Sequence, residues 1–282
     1  MDKAKKSLFA LTLLVSSSIS SVFAGSIPAD ALMDNYIGGT GYHGATNQDV
    51  FGSGYDTKWM QVKRNKDSAG DSWLNVFINT EFVGKNKRGG INYGDLFLMD
   101  GNDYQTADSC IVAGETKVGC RDSLHNSDNQ WQYAFDLGGA RSKSNNKLGY
   151  DDRRAGKLRE IPSYNYANSF ITTEQYGSGG YSRSNQIVLV KNLNTVQGSG
   201  EWWVDTSDNI LAMSFNITNT TLASASQIAL RWAMTCANDI IEGKVSLAST
   251  QPPTSVPEPS SILLMLGAFA GLYIRQKKSV DL

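Results

Sequence analysis

Two acidic residues in the aromatic run 201–205 (Glu-Trp-Trp-Val-Asp) have the chemistry of a glycosidase site. In an extended strand Glu201 and Asp205 share one face, but at roughly 3.3 Å per residue they lie about 13 Å apart. Paired glycosidase carboxylates lie about 5–9.5 Å apart. The run therefore predicts an edge strand with charged ends, and a catalytic pair would need a carboxylate from another strand. Trp202 and Trp203 point to opposite faces, so we expect one in the core and the other free to stack on a sugar.

A second group of side chains offers oxygen ligands to a metal. Asp95, Asp100, Asn102 and Asp103 surround a predicted loop, and carboxylate and amide oxygens are the ligands that calcium prefers. Their spacing is not that of an EF-hand loop, and the same residue types hydrogen-bond their own backbone in ordinary turns. We therefore predict no metal and no other cofactor, with calcium at these four residues as the alternative.

The glycine-rich string at 39–44 (Gly-Thr-Gly-Tyr-His-Gly) fits the pattern of a dinucleotide site. That pattern binds pyrophosphate only between a strand and a helix. Polar loop residues follow here and no alternation of strands and helices is present, so we expect no dinucleotide. No other combination of residues predicts a catalytic group.

Short runs that alternate apolar and polar side chains recur between residues 25 and 248, and no stretch shows a long helical period. The runs are 57–63, 73–83, 95–99, 130–137, 186–190, 201–205, 211–217 and 228–234. Turn-forming segments separate them. We therefore predict one all-β domain at 25–248, an antiparallel β-sandwich of about ten strands, jelly-roll or lectin-like. We expect one helical turn at 222–227 and solvated loop tips at the basic clusters 85–88 and 153–154.

The C-terminal end of the chain has three parts after a linker at 249–256. They are Pro257-Glu258-Pro259, an apolar run at 262–274, and the basic residues Arg275, Lys277 and Lys278. A helix between the last proline and the first arginine reaches about 22 Å, whereas a membrane core is about 30 Å thick. Basic residues stay on the cytoplasmic side. We therefore expect a marginal stop-transfer helix that exposes Val256–Pro259 to a membrane enzyme, with a simple tail anchor as the alternative.

These parts resemble the PEP-CTERM sorting signal of Gram-negative bacteria, here at 257–282. Its motif corresponds to Val256, Pro257, Glu258 and Pro259, and its basic tail to Arg275, Lys277 and Lys278. The resemblance implies processing by an exosortase, a membrane cysteine transpeptidase, after a transient stage in the inner membrane. It also implies delivery to the cell surface or extracellular matrix of a bacterium that makes exopolysaccharide and biofilm.

Three segments of the body are also similar to exosortase-dependent surface proteins, namely 74–80, 92–98 and 232–243. This similarity implies a β-rich surface domain without an assigned enzymatic activity. Related segments favour glycine after the cysteine, where this chain has Ala237.

Residues 1–24 have the features of a secretory signal peptide. Three lysines precede an apolar stretch at 8–15, and the segment ends in Val-Phe-Ala before Gly25. We predict export by the general secretory machinery and cleavage by signal peptidase between Ala24 and Gly25. The full chain has a net charge of −1, to which 1–24 contribute +2 and 257–282 contribute +1, so 25–256 carry −4. A mildly acidic body does not favour nucleic acid as a partner.

The three cysteines would meet oxidising conditions after export. Cys110 and Cys120 flank a segment that can turn, so we expect a disulfide that closes a hairpin. Cys236 would then be the third cysteine, outside this disulfide, and either buried in a strand or paired with another chain. Only His43 and His125 are available to activate a cysteine, and the spacing does not suit zinc.

Together these features predict a non-enzymatic surface or matrix protein that binds extracellular polysaccharide through exposed aromatic residues. The alternative is a secreted carbohydrate-active enzyme on the same scaffold. Two carboxylates within about 9 Å in an aromatic-lined groove would favour the enzyme, and a smooth sheet face would favour binding.

Overall fold

The structure, a computed structural model, describes residues 27–34, 54–83, 91–105, 110–112, 115–117, 129–138, 153–173, 186–191 and 193–247. The chain divides into two compact units, 1–248 and 249–282, and all described residues belong to the first. The expected signal peptide with its Ala24–Gly25 cleavage site, the linker at 249–256 and the sorting segment at 257–282 lie outside the described residues. Among the residues that the structure describes, no helix has the length and apolarity to span a membrane.

The described residues form strands and two short 3₁₀ helices. The strands are β1 (Leu32–Met33), β2 (Thr57–Lys66), β3 (Ser72–Thr80), β4 (Leu96–Asp100), β5 (Cys110–Val112), β6 (Glu115–Lys117), β7 (Tyr133–Asp136), β8 (Arg154–Glu160), β9 (Phe170–Thr172), β10 (Ile187–Val190), β11 (Val196–Asp205), β12 (Ile210–Asn216), β13 (Gln227–Ala233) and β14 (Ile240–Ser246). The 3₁₀ helices are Ser163–Asn168 and Thr221–Ala223.

Ten strands form one antiparallel sheet in the order β1-β2-β3-β12-β11-β8-β7-β4-β13-β14. The two ends of this sheet approach each other. The backbone N–H of Thr57, which opens β2, donates to Oδ2 of Asp239, just before β14, at 2.5 Å. A Cβ on Gly243 of β14 would lie 2.6 Å from Cδ1 of Leu32 on β1. The sheet is therefore nearly closed, and the remaining strands form two small hairpins, β5–β6 and β9–β10.

The inner face of the sheet encloses the main hydrophobic core, to which strands along the whole sheet contribute. Side chains along a strand alternate between the two faces of the sheet. In β3 the inward side chains Leu74, Val76 and Ile78 are fully buried. Trp73 and Asn75 point outward and are half-buried. Trp202 lies in this core, and its indole N–H donates to the carbonyl of Leu137 at 3.0 Å. A buried indole with a satisfied N–H contributes apolar area without a desolvation cost.

The outer face is covered on one half and open on the other. Over β4, β7 and β13, the β9–β10 hairpin packs Phe170, Ile187 and Val190 against Phe97 and Ala229. The other half, formed by β2, β3, β12, β11 and β8, carries side chains that are exposed or half-buried over much of its area. This difference decides which residues can meet a ligand.

The all-β class and the antiparallel, sandwich-like architecture are confirmed, and the predicted runs correspond to strands of the structure. Two predictions were wrong. Arg154 does not belong to a loop tip but begins β8, and the run at 201–205 is not an edge strand, because β11 lies between β12 and β8. Gly156 interrupts the apolar alternation of β8, so the local pattern hid that strand, whereas the charged ends of 201–205 suggested an edge although strands flank it on both sides.

Candidate functional site

The open half of the outer sheet face carries two rows of side chains that cross five strands. The first row, fixed by the strand registers, is Lys63, Asn75, Ser214, Glu201 and Ala155. The second row is Asn65, Trp73 and Asn216, continued by Ser199 and Lys157. At about 4.8 Å between strands, each row extends about 19 Å. We call these ten residues the open face.

Five of the ten side chains of the open face are amides or hydroxyls. Asn75 donates its Nδ2 hydrogen to Oδ1 of Asn65 at 2.5 Å, and Asn216 accepts the backbone N–H of Thr218 at 2.8 Å. Amides and hydroxyls both donate and accept hydrogen bonds. The open face is therefore chemically matched to a ligand that is itself rich in hydroxyls.

A tryptophan lies within the open face and is held in place by an acidic turn. The indole N–H of Trp73 donates to Oδ2 of Asp67 at 3.0 Å. This bond, followed by backbone N–H bonds from Asp71 and Ala69, lowers the pKa of Asp67 below its usual value. The charged acceptor fixes the half-buried ring of Trp73.

A second tryptophan borders the open face, and the guanidinium of an arginine lies over its ring. Trp203 of β11 is half-buried, and the guanidinium carbon of Arg153 lies 4.3 Å from its ring centroid. Arg153 also forms an ion pair with Glu201 of the first row. The opposite faces predicted for Trp202 and Trp203 are confirmed, since Trp202 is in the core.

The acidic residues considered for glycosidase chemistry do not form a close pair with each other. Glu201 and Asp205 lie on the single strand β11, which sets them about 13 Å apart. Glu201 is engaged by Arg153, and Asp205 accepts the backbone N–H groups of Ser207 and Asp208 at 2.9 and 3.3 Å. These contacts give the two carboxylates structural partners and no shared groove.

The four residues considered for calcium are spread along β4 and the turn after it. Asp95 is buried before β4 and accepts the backbone N–H groups of Leu137 and Val190 at 3.0 and 2.8 Å. Asp100 ends β4, about 16 Å away along the strand, and accepts the N–H of Asn102 at 2.9 Å. Asp103 accepts a hydrogen from Gln132 at 3.0 Å. Within the described ranges no group of three or more His, Cys, Asp or Glu residues can hold a metal.

The covered half conceals a buried polar cluster that the sequence pattern did not reveal. Arg231 of β13 and Glu242 of β14 are register partners, with side chains 1% and 2% exposed, and Nη1 lies 2.6 Å from Oε2. Gln186, which precedes β10, accepts a hydrogen from Nη2 at 2.6 Å. Tyr104 and Asn129 donate to the other oxygen of Glu242 at 3.3 and 3.4 Å. The bond from Arg231 to Gln186 joins the start of β10 to the sheet.

The hairpin expected around the first two cysteines is present as β5–β6, with Cys110 opposite Lys117. Cys120 lies outside the described residues, so the disulfide between Cys110 and Cys120 stays a prediction. Cys236 is buried in the main core just after β13. It lies in a turn rather than the strand that we expected, and pairing of Cys236 with another chain stays a prediction.

The described residues thus define an all-β domain of the sandwich-like class. Residues 255–278 match the family model of the PEP-CTERM protein-sorting motif. No curated protein and no solved structure matches the chain. The chain therefore carries a PEP-CTERM sorting motif, which marks a secreted protein handled by an exosortase at the cell envelope.

The residues of the open face were missed by sequence reasoning, apart from Glu201. A signal was present, because Trp73 and Asn75, like Ser214 and Asn216, occupy alternate positions of predicted strands. Alternation alone did not tell an open outer face from a covered one, and this distinction depends on which loops fold over the sheet.

Proposed function

We propose that this protein is a non-enzymatic surface or matrix protein that binds an extracellular polysaccharide through the open face. The observation that carries the proposal is the pair of polar rows crossing five strands with Trp73 among them. Sugar hydroxyls pair with amides and hydroxyls, and the apolar side of a sugar ring packs on an indole. An open outer sheet face suits an extended polymer better than a small molecule, which binds in a concave pocket.

The arrangement of charge supports binding rather than hydrolysis. Glu201 is the acidic side chain of the open face, and Arg153 neutralises it. A pair of glycosidase carboxylates lies about 5–9.5 Å apart, whereas Asp205 lies about 13 Å from Glu201 along the same strand.

The route to the surface forms the second part of the proposal. The general secretory machinery would export the chain, and signal peptidase would cleave it after Ala24. The segment 262–274 would then lie transiently in the inner membrane of a Gram-negative cell. An exosortase would then process the chain near Pro257–Pro259, which leaves the body on the surface or in the matrix beside exopolysaccharide. The match at 255–278 supports this route.

Binding is tested with mature protein recovered from the producing cell and applied to an array of bacterial polysaccharides. We expect retention on at least one polymer, and a loss of about tenfold in affinity for Trp73→Ala, or about 1.4 kcal/mol, since the variant lacks the apolar ring on which the sugar packs. The matched control is Tyr164→Ala, because Tyr164 is 91% exposed on the covered half of the molecule. Release of reducing sugar by the wild-type protein, or equal loss for both variants, would contradict the proposal.

Sorting is tested separately by replacing Pro257 and Pro259 with Ala in the full-length chain. We expect a larger, membrane-associated form that is not displayed. Unchanged mature size and unchanged surface display would show that these prolines do not direct processing.

A further inference from the structure

We infer that the open face selects acidic polysaccharides, and that Lys63, Lys157 and Arg153 recognise their carboxylates. This inference rests on the proposed function and specifies its ligand class.

The sign of the charge on the open face differs from that of the rest of the body. Residues 25–256 carry a net charge of −4. The two rows carry Lys63 and Lys157 against Glu201, and at their border stand Arg153 and the Asp67 carboxylate that binds Trp73, so this region has a net charge of +1. A basic face on an acidic body attracts an anionic partner to one place and repels it elsewhere.

The positions of the basic groups follow the two polar rows. Lys63 begins the first row on β2, and Lys157 ends the second row on β8, so the two lysines stand at opposite sides of the open face. Both side chains are exposed. Lys157 also lies opposite Asp136 of β7, but that carboxylate accepts bonds from Arg159 at 2.7 Å and from the Gly138 N–H at 2.8 Å. Arg159 therefore balances the charge of Asp136, and the positive charge of Lys157 adds to the open face.

Arg153 is placed to bind a carboxylate of a sugar ring that packs on the open face. Its guanidinium lies over Trp203 and pairs with Glu201, and the two partners are half-exposed, at 51% for Arg153 and 41% for Glu201. A guanidinium binds a carboxylate through two parallel hydrogen bonds. A sugar carboxylate can replace Glu201 at this position, because an exposed ion pair of this kind is held by at most about 1 kcal/mol.

The experiment uses mature protein and one polymer in two forms, polygalacturonate and the same polymer after chemical reduction of its carboxylates to alcohols. Affinity is measured by calorimetry at low and at high salt. We expect the acidic form to bind at least tenfold more tightly, with an advantage that falls as salt rises. Lys63→Gln, Lys157→Gln and Arg153→Gln should each weaken binding of the acidic form by about fivefold, the upper range for one exposed ionic contact.

Lys244→Gln is the matched control, because Lys244 is exposed on β14, opposite Ala229 of the covered half, and does not belong to the open face. It removes the same charge and should leave affinity unchanged within about twofold. Equal affinity for both forms of the polymer would overturn the acidic selectivity and leave polysaccharide binding intact. Binding to neither form would count against both. Binding of double-stranded DNA as tight as that of polygalacturonate, and insensitive to Trp73→Ala, would identify a general polyanion site and also overturn the inference.

Discussion

The rings of Phe135 and Phe215 stack in the core with 4.3 Å between centroids and 15° between planes. They lie beside two glycines, Gly156 of β8 and Gly200 of β11, which are register partners on adjacent strands. A Cβ at Gly156 would lie 2.3 Å from Cζ of Phe135, and one at Gly200 would lie 2.5 Å from Cβ of Phe215. The paired glycines therefore create the space that the stacked rings fill.

Adding a methyl group at either glycine should destabilise the domain. Gly156→Ala meets the end of a ring that can shift, so we expect a loss of about 1–2 kcal/mol. Gly200→Ala also meets the carbonyl oxygen of Ser214 at 2.2 Å, and a backbone group cannot move without breaking the ladder. We expect about 3 kcal/mol for Gly200→Ala, near the upper end for overpacking, measured by urea unfolding.

A rescue variant separates overpacking from a general effect of alanine in the strand. Phe135→Leu combined with Gly156→Ala removes the ring that the new methyl would touch, so the two changes should cost less than the sum of the single changes. Additive losses would show that the ring and the glycine are not coupled.

Arg231 and Glu242 should behave as a mutually dependent pair. Arg231→Met leaves a buried carboxylate without its cation, and Glu242→Gln leaves a buried guanidinium without its anion. Each single change should cost about 3–5 kcal/mol. The double variant Arg231→Met with Glu242→Leu buries no charge and should recover most of that loss, which denaturant unfolding would measure. Single variants with losses under about 1 kcal/mol would mean that the pair is solvated.

The sequence predicted strands well where one face of the strand is uniformly apolar. β3, β12 and β13 bury alternate large side chains, so their pattern is visible without knowledge of their neighbours. β8 and the first half of β11 place glycines on the inner face because aromatic rings from other strands occupy the space. Their local pattern therefore carries no apolar signal, and their strand conformation depends on tertiary contacts.

The candidate site was harder to predict than the fold because its members come from distant parts of the chain. Lys63 and Glu201 meet in one row only through the registers of β2, β3, β12 and β11. Arg153 was assigned to a loop tip because nothing local connects it with Trp203. The sorting motif, by contrast, is contiguous and was recognised from its own residues at 255–278.

Ala237 occupies a backbone conformation that favours glycine, with a φ of 46°. Ala237→Gly relieves strain of about 1–2 kcal/mol, but it loses a buried methyl worth about 0.8 kcal/mol and gains chain entropy in the unfolded state. We therefore expect a change in unfolding free energy of less than about 1 kcal/mol. Ala237→Val should cost more than about 2 kcal/mol, because a β-branched residue at positive φ is strained and this site is fully buried. A neutral valine variant would contradict the observed conformation.

Tyr166 connects the segment before β9 with the segment before β7, and its ionisation should be visible in the pH dependence of stability. Its hydroxyl donates to the carbonyl of Asn129 at 3.0 Å and accepts the N–H of Trp131 at 2.8 Å. Burial is the main cause that raises the pKa of Tyr166 to about 12. A raised folded pKa means that the contribution of Tyr166 to stability is complete below the unfolded pKa of about 10 and is lost as the pH rises through about 12.

Tyr166→Phe isolates this contribution, because the other tyrosines and the lysines titrate in both proteins. At pH 8 the variant should be less stable by about 1–3 kcal/mol, since it leaves a buried N–H and a buried carbonyl without a partner. Between pH 10 and pH 12 the wild-type protein should lose stability faster, so the difference between the two unfolding free energies should shrink. Parallel curves over that interval would show that the hydroxyl ionises as it does in water, and that burial does not raise its pKa.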